Sequence, residues 1–281
     1  MRMIETISDM KAIIRTQKKE GKTIGFVPTM GYLHEGHMSL VKASLHDNDF
    51  TIMSIFVNPT QFGPNEDFSK YPRDLSRDFA MAEEAGVDVV FAPANTEMYP
   101  EDYKTFVDVD GITEVLCGKS RPGHFKGVTT IVSKLFHIVE PDHAYFGKKD
   151  AQQGIVIKKM VSDLNMNSKI ILCPIIREKD GLAMSSRNSF LNTEERKAAL
   201  ILSQSLFEVE ALIKVGETSK EFILEYLNSS ISKEPLAKIE YIQIVDGENL
   251  EEIKTIKSRV LIALAVRFGN TRLIDNVLLE V

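Results

Sequence analysis

The feature that most constrains the fold is a regular alternation of short apolar runs and amphipathic segments through the first two-thirds of the chain. Apolar runs between turn residues predict strands, and apolar positions three or four apart predict helices. The pattern predicts helices over 11–20, 36–45, 74–85, 128–139 and 150–163, and strands over 23–27, 51–57, 88–91, 143–146 and 169–173. Repeated β-α-β units of this size predict an α/β fold with a parallel sheet covered by helices on both faces. Ligands bind such sheets at the carboxyl ends of the strands.

The pattern changes after about residue 176. A long helix is predicted over 193–214 and a second over 220–228, followed by extended segments over 239–245, 259–267 and 272–279. The Phe-Gly-Asn sequence at 268–270 is typical of a hairpin turn between the last two. We therefore expect two domains, 1–176 and 177–281, of which the second is a smaller α+β domain with an antiparallel sheet.

The net charge argues against a broad cationic binding surface. Lys and Arg total 34 against 40 for Asp and Glu, which gives a formal charge of −6. Nucleic acids and anionic membranes bind basic surfaces, so neither is an expected partner. A small anionic ligand stays compatible with this charge, because a pocket can be basic on an acidic protein.

Nothing in the sequence predicts export or insertion into a membrane. The first 22 residues lack the uninterrupted apolar core of a signal peptide. The most apolar stretch, 260–266, has seven residues, whereas a membrane span needs about 20. Two cysteines, Cys117 and Cys173, are too few for a disulfide framework in 281 residues. We expect a cytoplasmic protein whose cysteines remain thiols.

The strongest motif is PTMGYLHEGH at 28–37, which joins the first predicted strand to the next helix. A helix N-terminus offers free N–H groups and partial positive charge to a phosphate, and Gly31 and Gly36 allow close approach of the backbone. His34 and His37 are three residues apart, so both rings can reach one phosphate and donate to oxygens that gain charge. The alternatives are two helix-capping histidines, or a zinc pair, for which no Cys/His cluster supplies a third ligand.

Amide side chains follow the next predicted strand in SIFVNPTQF at 54–62. Asn58 and Gln61 lie at its carboxyl edge, where amides can bind hydroxyl groups and a carboxylate without adding charge. For Asn58 a role in the turn is an equal alternative. We expect Gln61 to contact a substrate because of its position.

Two further segments carry candidate groups with open alternatives. For Tyr71, Arg73 and Asp78, a structural role is as well supported as a role in the site. Asp78 can also simply belong to the solvated face of a helix. The sequence KSRPGHFKG at 119–127 predicts a mobile cationic loop able to cover phosphates, or else an ordinary exposed loop.

The remaining motifs are GKKDAQQ at 147–153 and REKDGLAMSSRN at 177–188. The first motif places glycine and lysine at another strand-to-helix turn, where phosphate binding is again favoured. For Asp150 the alternative to a ligand contact is a structural role as the N-cap of the following helix. The second places two hydroxyls beside Arg187, which can bind two phosphate oxygens at once, or serves as a helix cap. The chain has no P-loop motif.

The H-x-G-H and later M-S-S-R sequences resemble the HIGH and KMSKS motifs of the nucleotidylyltransferase superfamily. Within that superfamily, the ordered strings PTMGYLHEGH, SIFVNPTQF, YPR, RPGHFKGV, PDHAYFGKKDAQQ and REKDGLAMSSRN are similar to those of the pantoate–β-alanine ligase (pantothenate synthetase) family. The resemblance runs from residue 7 to the C-terminus and is loose only at YIQIVD, 241–246. It implies a Rossmann-like catalytic domain followed by a C-terminal lid domain.

The resemblance implies a two-step ligation with ATP as co-substrate and Mg²⁺. Pantoate carboxylate attacks the α-phosphate to give pantoyl adenylate and pyrophosphate, and the β-alanine amine then displaces AMP. It also implies a homodimer. The alternative is another HIGH-motif adenylyltransferase, which forms a nucleotidyl product without an amine acceptor.

The resemblance also implies roles for individual residues. His37 corresponds to the family's proton donor, His34 to its partner, Lys149 to the phosphate-binding lysine and Arg187 to the arginine of the second motif. The implied pantoate contacts are Gln61 and Gln153, with Gln61 also near β-alanine. Asn58 and Arg121 are further candidate substrate contacts, and Asp78 is a candidate metal ligand. Lys148 falls where the family varies. The implied ATP site is Met30, Gly31, Tyr32, Leu33, His34, Glu35, Gly36, His37, Gly147, Lys148, Lys149, Asp150, Ile176, Met184, Ser185, Ser186 and Arg187.

Overall fold

A computed structural model describes residues 1–64 and 66–281, and its larger sheet is parallel throughout. The strands are β1 (Arg2–Ile4), β2 (Ile24–Thr29), β3 (Phe50–Ile55), β4 (Val89–Phe91), β5 (His143–Gly147) and β6 (Lys169–Cys173). They lie in the order β1-β4-β3-β2-β5-β6, with every neighbouring pair parallel. The chain runs outward from β2 to β4 on one side and from β5 to β6 on the other. This switch point between β2 and β5 opens a crevice at their carboxyl ends.

Helices cover both faces of this sheet, as the sequence predicts. They are α1 (Ile7–Lys19), α2 (Glu35–Asp47), α3 (Leu75–Ala85), α4 (Asn95–Met98), α5 (Leu116–Ser120), α6 (His124–Val139) and α7 (Ala151–Asp163). Successive strand residues point to opposite faces, so Phe26 packs in the core formed with α1, α6 and α7, and Val27 in the core formed with α2 and α3. Both faces are therefore apolar, which explains the nearly continuous apolar runs of the strands.

The second part of the chain has its own core and sheet. Helices α8 (Thr193–Ala198), α9 (Ile201–Lys214) and α10 (Lys220–Ser232) pack on strands β7 (Ala237–Asp246), β8 (Arg259–Phe268) and β9 (Thr271–Glu280). The strands form an antiparallel sheet in sequence order. Phe268 pairs with Thr271, so the predicted hairpin turn is Gly269-Asn270, where Gly269 has a φ of +56°. The predicted fold class, a parallel-sheet domain followed by a small antiparallel α+β unit, is confirmed.

Several predicted element boundaries are wrong. The predicted helix 193–214 is two helices, because the amide N–H groups of Leu200 and Leu202 bond three residues back, to Lys197 and Ala199, and interrupt the regular ladder. The N-terminus starts with a short strand, β1, ahead of α1. Residues 119–127 are not one loop: α5 continues through Ser120, and α6 starts at His124, four residues before its predicted start.

Among the described residues, no helix combines the length and the apolar character that a membrane crossing requires.

Candidate functional site

The motifs meet at the crevice beyond β2, β3 and β5, around two cavities of about 240 and 650 Å³. The smaller cavity is lined by most of the expected nucleotide residues: Met30, His34, Gly36, His37, Gly147, Lys149, Asp150, Ile176, Met184, Ser185, Ser186 and Arg187. It is also lined by all four expected substrate contacts, Asn58, Gln61, Arg121 and Gln153. Gly31, Tyr32, Leu33, Glu35 and Lys148 line neither cavity, and Leu33 is fully buried in the core between α2 and the sheet.

The loop between β2 and α2 is held by a buried carboxylate. Asp78 of α3 accepts hydrogen bonds from the backbone N–H groups of Tyr32 (2.6 Å) and Leu33 (2.7 Å), one on each oxygen. A Cβ at Gly31, whose φ is +81°, would lie 2.8 Å from Asp78 Oδ2, so the close approach requires glycine. Burial raises the pKa of the Asp78 carboxyl, whereas the two N–H donors and Arg77 favour its charged form.

The sequence alternative that put Asp78 on a solvated helix face is wrong, since the residue is only 1% exposed. Its expected role as a metal ligand stays a prediction, but both of its oxygens already bind backbone N–H groups. The geometry therefore favours a role in holding the loop that leads to His34.

His34 and His37 combine the helix-capping role with a free donor atom. His34 Nδ1 accepts from the N–H of Gly36 (3.1 Å), and His37 Nδ1 accepts from the N–H of His34 (3.3 Å). The ring centroids are 4.0 Å apart. Burial, and then the charge of Lys149, lower the pKa of His34 to about 4; burial and the neighbouring His34 lower that of His37 well below its ordinary value. Both rings are therefore neutral at pH 7, with the proton on Nε2.

Lys149 lies in a one-turn 3₁₀ helix, Lys148–Asp150, between β5 and α7. Its ammonium group is 3.9 Å from the Asp150 carboxylate, and its side chain is 21% exposed. Asp150 occupies the N-cap position of α7 but makes no side-chain capping bond, and its exposed carboxylate borders both cavities. The capping alternative for Asp150 is thus not supported, and this turn presents Lys149 and Asp150, one cation and one anion, to the cavities.

Two adjacent glutamines after Asp150 have different surroundings. Gln152 is buried and bonds the backbone of Ile112, Val115 and Cys117. Gln153 lines both cavities, as the sequence predicts for a residue on the ligand side of α7.

Asn58 and Gln61 form a local network at the end of β3. Asn58 is 1% exposed; its Nδ2 donates to Gln61 Oε1 (3.1 Å) and to the carbonyl of Gly127 (3.0 Å), and its Oδ1 accepts from the Tyr99 hydroxyl (2.9 Å). These bonds favour the turn alternative for Asn58, which positions Gln61. The Gln61 side chain lies at the cavity wall beside Met30, with Nε2 2.9 Å from Met30 Sδ.

Two arginines that we expected to face ligands are paired with acids from the segment after Gln61. Arg121 Nε and Nη2 each lie 2.6 Å from Glu66, and Arg187 Nε and Nη2 lie 2.9 and 3.0 Å from Asp67. Burial opposes ionisation of Glu66, but the Arg121 guanidinium outweighs it and lowers the pKa of Glu66 to about 2. An anionic ligand that binds either arginine therefore replaces an internal carboxylate. Neither acid was predicted from the sequence as part of the site.

The motif around Arg187 contacts the loop after β2 directly. Ser186 Oγ donates to the carbonyl of Tyr32 (3.2 Å), and Ser185 Oγ accepts from the N–H of Arg187. The guanidinium of Arg187 lies 5.6 Å from the ring of Tyr71, while Arg73 bonds the carbonyls of Tyr71 and Phe68. Tyr71 thus borders the site, and Arg73 has the structural role that was its alternative.

His124 couples the folding stability to pH. Its Nδ1 donates to the carbonyl of Gln61 (2.8 Å), and its Nε2 accepts from Arg121 (3.1 Å), so the neutral ring is fully bonded. Burial and then Arg121 lower the pKa of His124 from 6.5 to about 4. Between these values the unfolded chain binds a proton that the folded protein does not, so stability is lost as the pH falls below 6.5.

The His124→Asn variant keeps an N–H donor near the position of Nδ1 but cannot titrate. From pH 7 to pH 5, we expect its free energy of unfolding to fall by about 2 kcal/mol less than that of the parent. Urea unfolding at both pH values measures this difference. His34 and His37 add to the acid sensitivity of both proteins equally. The same loss in parent and variant would show that His124 titrates normally in the folded state.

The comparisons with known proteins agree with one another. Residues 2–278 match the family model described as pantoate-beta-alanine ligase. A pantothenate synthetase of Acetivibrio thermocellus is 69% identical over 281 residues, which cover 100% of both chains. The crystal structure of pantothenate synthetase from Thermus thermophilus superposes with a TM-score of 0.94 at 43% identity over 99% of both chains. That of the Francisella tularensis pantoate-beta-alanine ligase, complexed with beta-gamma ATP and beta-alanine, gives 0.81 at 38% identity over 99% of this chain and 97% of that one.

Proposed function

Because the chain belongs to the pantoate–β-alanine ligase family, we propose that it makes pantothenate by way of a pantoyl adenylate formed from pantoate and ATP. Family membership makes the protein a ligase that forms pantothenate. The proposed route has two displacements. The pantoate carboxylate oxygen bonds to the α-phosphorus of ATP as the bond to pyrophosphate breaks. The β-alanine amine then bonds to the acyl carbon, AMP leaves with the bonding electrons, and the amine loses a proton.

The observation that carries this proposal is the set of donors around one cavity. His34, His37 and Lys149 all line the smaller cavity at the switch point of the sheet, and the Nδ1 atom of each ring is taken up by a backbone N–H, which leaves Nε2–H as the donor. A carboxylate and a polyphosphate repel each other, so the first displacement needs groups that stabilise the charge gained by the phosphate oxygens. The two neutral histidines and Lys149 can supply these groups.

Amide groups complete the proposed substrate side of the cavity. Gln61, fixed from β3 by Asn58, and Gln153 of α7 can donate to the pantoate hydroxyls and carboxylate while adding no charge. Arg121 borders the same cavity and is our candidate for the β-alanine carboxylate, once Glu66 has been displaced from it.

We propose that Mg²⁺ binds together with the nucleotide. Within residues 1–64 and 66–281, no group of three or more His, Cys, Asp or Glu side chains is arranged to hold a metal ion. Mg²⁺ commonly binds through substrate phosphates, waters and one or two carboxylates. Asp150, exposed at both cavities, fits that single-carboxylate role. The ion would neutralise phosphate charge when bound.

The deciding experiment measures AMP and pyrophosphate with ATP and pantoate, with and without β-alanine. We expect pyrophosphate in a single burst of about one per active site without β-alanine, and continuous formation of AMP and pantothenate with it. A simple adenylyltransferase, the second candidate, would turn over continuously without the amine and would be unaffected by its addition. Formation of ADP in place of AMP would contradict attack at the α-phosphorus. The homodimer rests on the family resemblance and the cytoplasmic location on the sequence, and both stay predictions.

A further inference from the structure

We propose that Asn276, in the last strand of the small sheet, is a positioning residue for Lys149. Its side-chain Nδ2 donates to two consecutive carbonyls, those of Lys148 (3.0 Å) and Lys149 (2.8 Å). Both N–H bonds of one amide thus hold the 3₁₀ turn that carries the phosphate-binding lysine. This inference rests on the proposed role of Lys149 in the reaction.

The contact is largely enclosed by protein. Asn276 is 4% exposed, and both of its bonds to the turn are partly buried beside the larger cavity. When a buried carbonyl loses its donor, the folded protein loses more stability than an average hydrogen bond contributes. The local backbone would therefore shift, and the Lys149 ammonium group would shift with it.

Asn276 is itself fixed from the segment between the two halves of the chain. The Asp275 carboxylate accepts from the N–H of Asn276 (2.8 Å) and from both Nη atoms of Arg177 (2.6 and 3.0 Å). Arg177 also bonds the carbonyl of Gly181, at the turn that leads to Ser185 and Arg187. One chain of bonds therefore connects the second motif to the backbone of Lys149, through β9.

The consequence is that Lys149 reaches its place only when the small sheet is docked on the catalytic half. The connection between β5 and α7 forms the 3₁₀ turn, and the two bonds from Asn276 fix the orientation of that turn. A misplacement of a catalytic group by about 1 Å can cost about a hundredfold in rate.

The test is a double-mutant cycle in pantothenate formation with the full-length protein. We expect Asn276→Asp and Asn276→Ala each to lower kcat about 10- to 100-fold, with less than threefold change in KM for β-alanine. In the Lys149→Ala background, where the side chain to be positioned is already absent, the same changes should cost less than threefold. Asn276→Ala introduces no charge, so it keeps the test valid if the aspartate variant folds poorly.

The matched control is Asn228→Asp, which removes an equivalent amide-to-carbonyl bond, to Leu224, on the exposed face of α10. It should keep the parent kcat. Equal losses from Asn276→Ala in the parent and Lys149→Ala backgrounds, or a parent-like kcat in Asn276→Ala, would overturn the proposal. Failure of the adenylate route would appear separately, in the products of the parent enzyme, and leaves this cycle interpretable.

Discussion

Lys149→Ala is expected to lower kcat for pantothenate formation by about a thousandfold or more while the folded structure is retained. Lys149 is the cavity-lining cation of the turn between β5 and α7, and it is paired with Asp150, at 3.9 Å. Removal of the ammonium group leaves the phosphate oxygens of the transition state without that charge. Since the side chain is not part of a core cluster, we expect little change in thermal stability.

Steady-state kinetics and a thermal melt measure these two effects on the same preparation. Lys148→Ala is the matched control, because Lys148 is adjacent but lines neither cavity. We expect its kcat to stay within about threefold of the parent. If Lys149→Ala keeps near-normal turnover, or if Lys148→Ala loses as much, Lys149 has no part in the chemistry.

The second large effect is expected from replacing His37. Its asparagine and glutamine variants distinguish the role of ring atom Nδ1 from that of Nε2. His37→Asn keeps an acceptor near Nδ1 for the N–H of His34 but removes the donor at Nε2. His37→Gln places an N–H near the position of Nε2. We expect the asparagine variant to lose about 100- to 1,000-fold in kcat, and the glutamine variant to retain at least about tenfold more activity than the asparagine variant.

This order follows from the lowered pKa of His37, which makes the ring a neutral hydrogen-bond donor in the free protein. Kinetics of both variants at saturating ATP and pantoate measure it. Equal losses in the two variants would mean that a titrating imidazole is required, as expected for transfer of a whole proton. The family's description of this histidine as a proton donor would then hold in its literal sense.

The sequence predicted those parts of the fold and site that depend on local pattern. The strands of the parallel sheet are buried on both faces, so their apolar runs stand out. His34, Gln61 and Lys149 could be placed because each lies in the segment that follows the end of a strand. Parallel strands carry their carboxyl ends to one edge, which brings these residues together without any long-range information.

Features without a local sequence signal were not predicted, and contacts between distant segments are the main example. Asn276 lies 127 residues from Lys149, and nothing in the β9 sequence marks it as different from its neighbours. The break in the predicted helix 193–214 has no glycine or proline to signal it. Asp78 did leave a signal: it is four residues before Ala82, and both lie on the buried face of α3.

The two acid–arginine pairs change what binding at this site means energetically. Arg121 and Arg187 are not free cations that gain a partner when a ligand arrives, because Glu66 and Asp67 already neutralise them. Their contribution to affinity is the difference between two pairings, so most of the Coulomb energy of the new contact cancels against the old one. Discrimination among anions then depends on geometry and on the number of contacts made at once, and a single small anion gains little by entering.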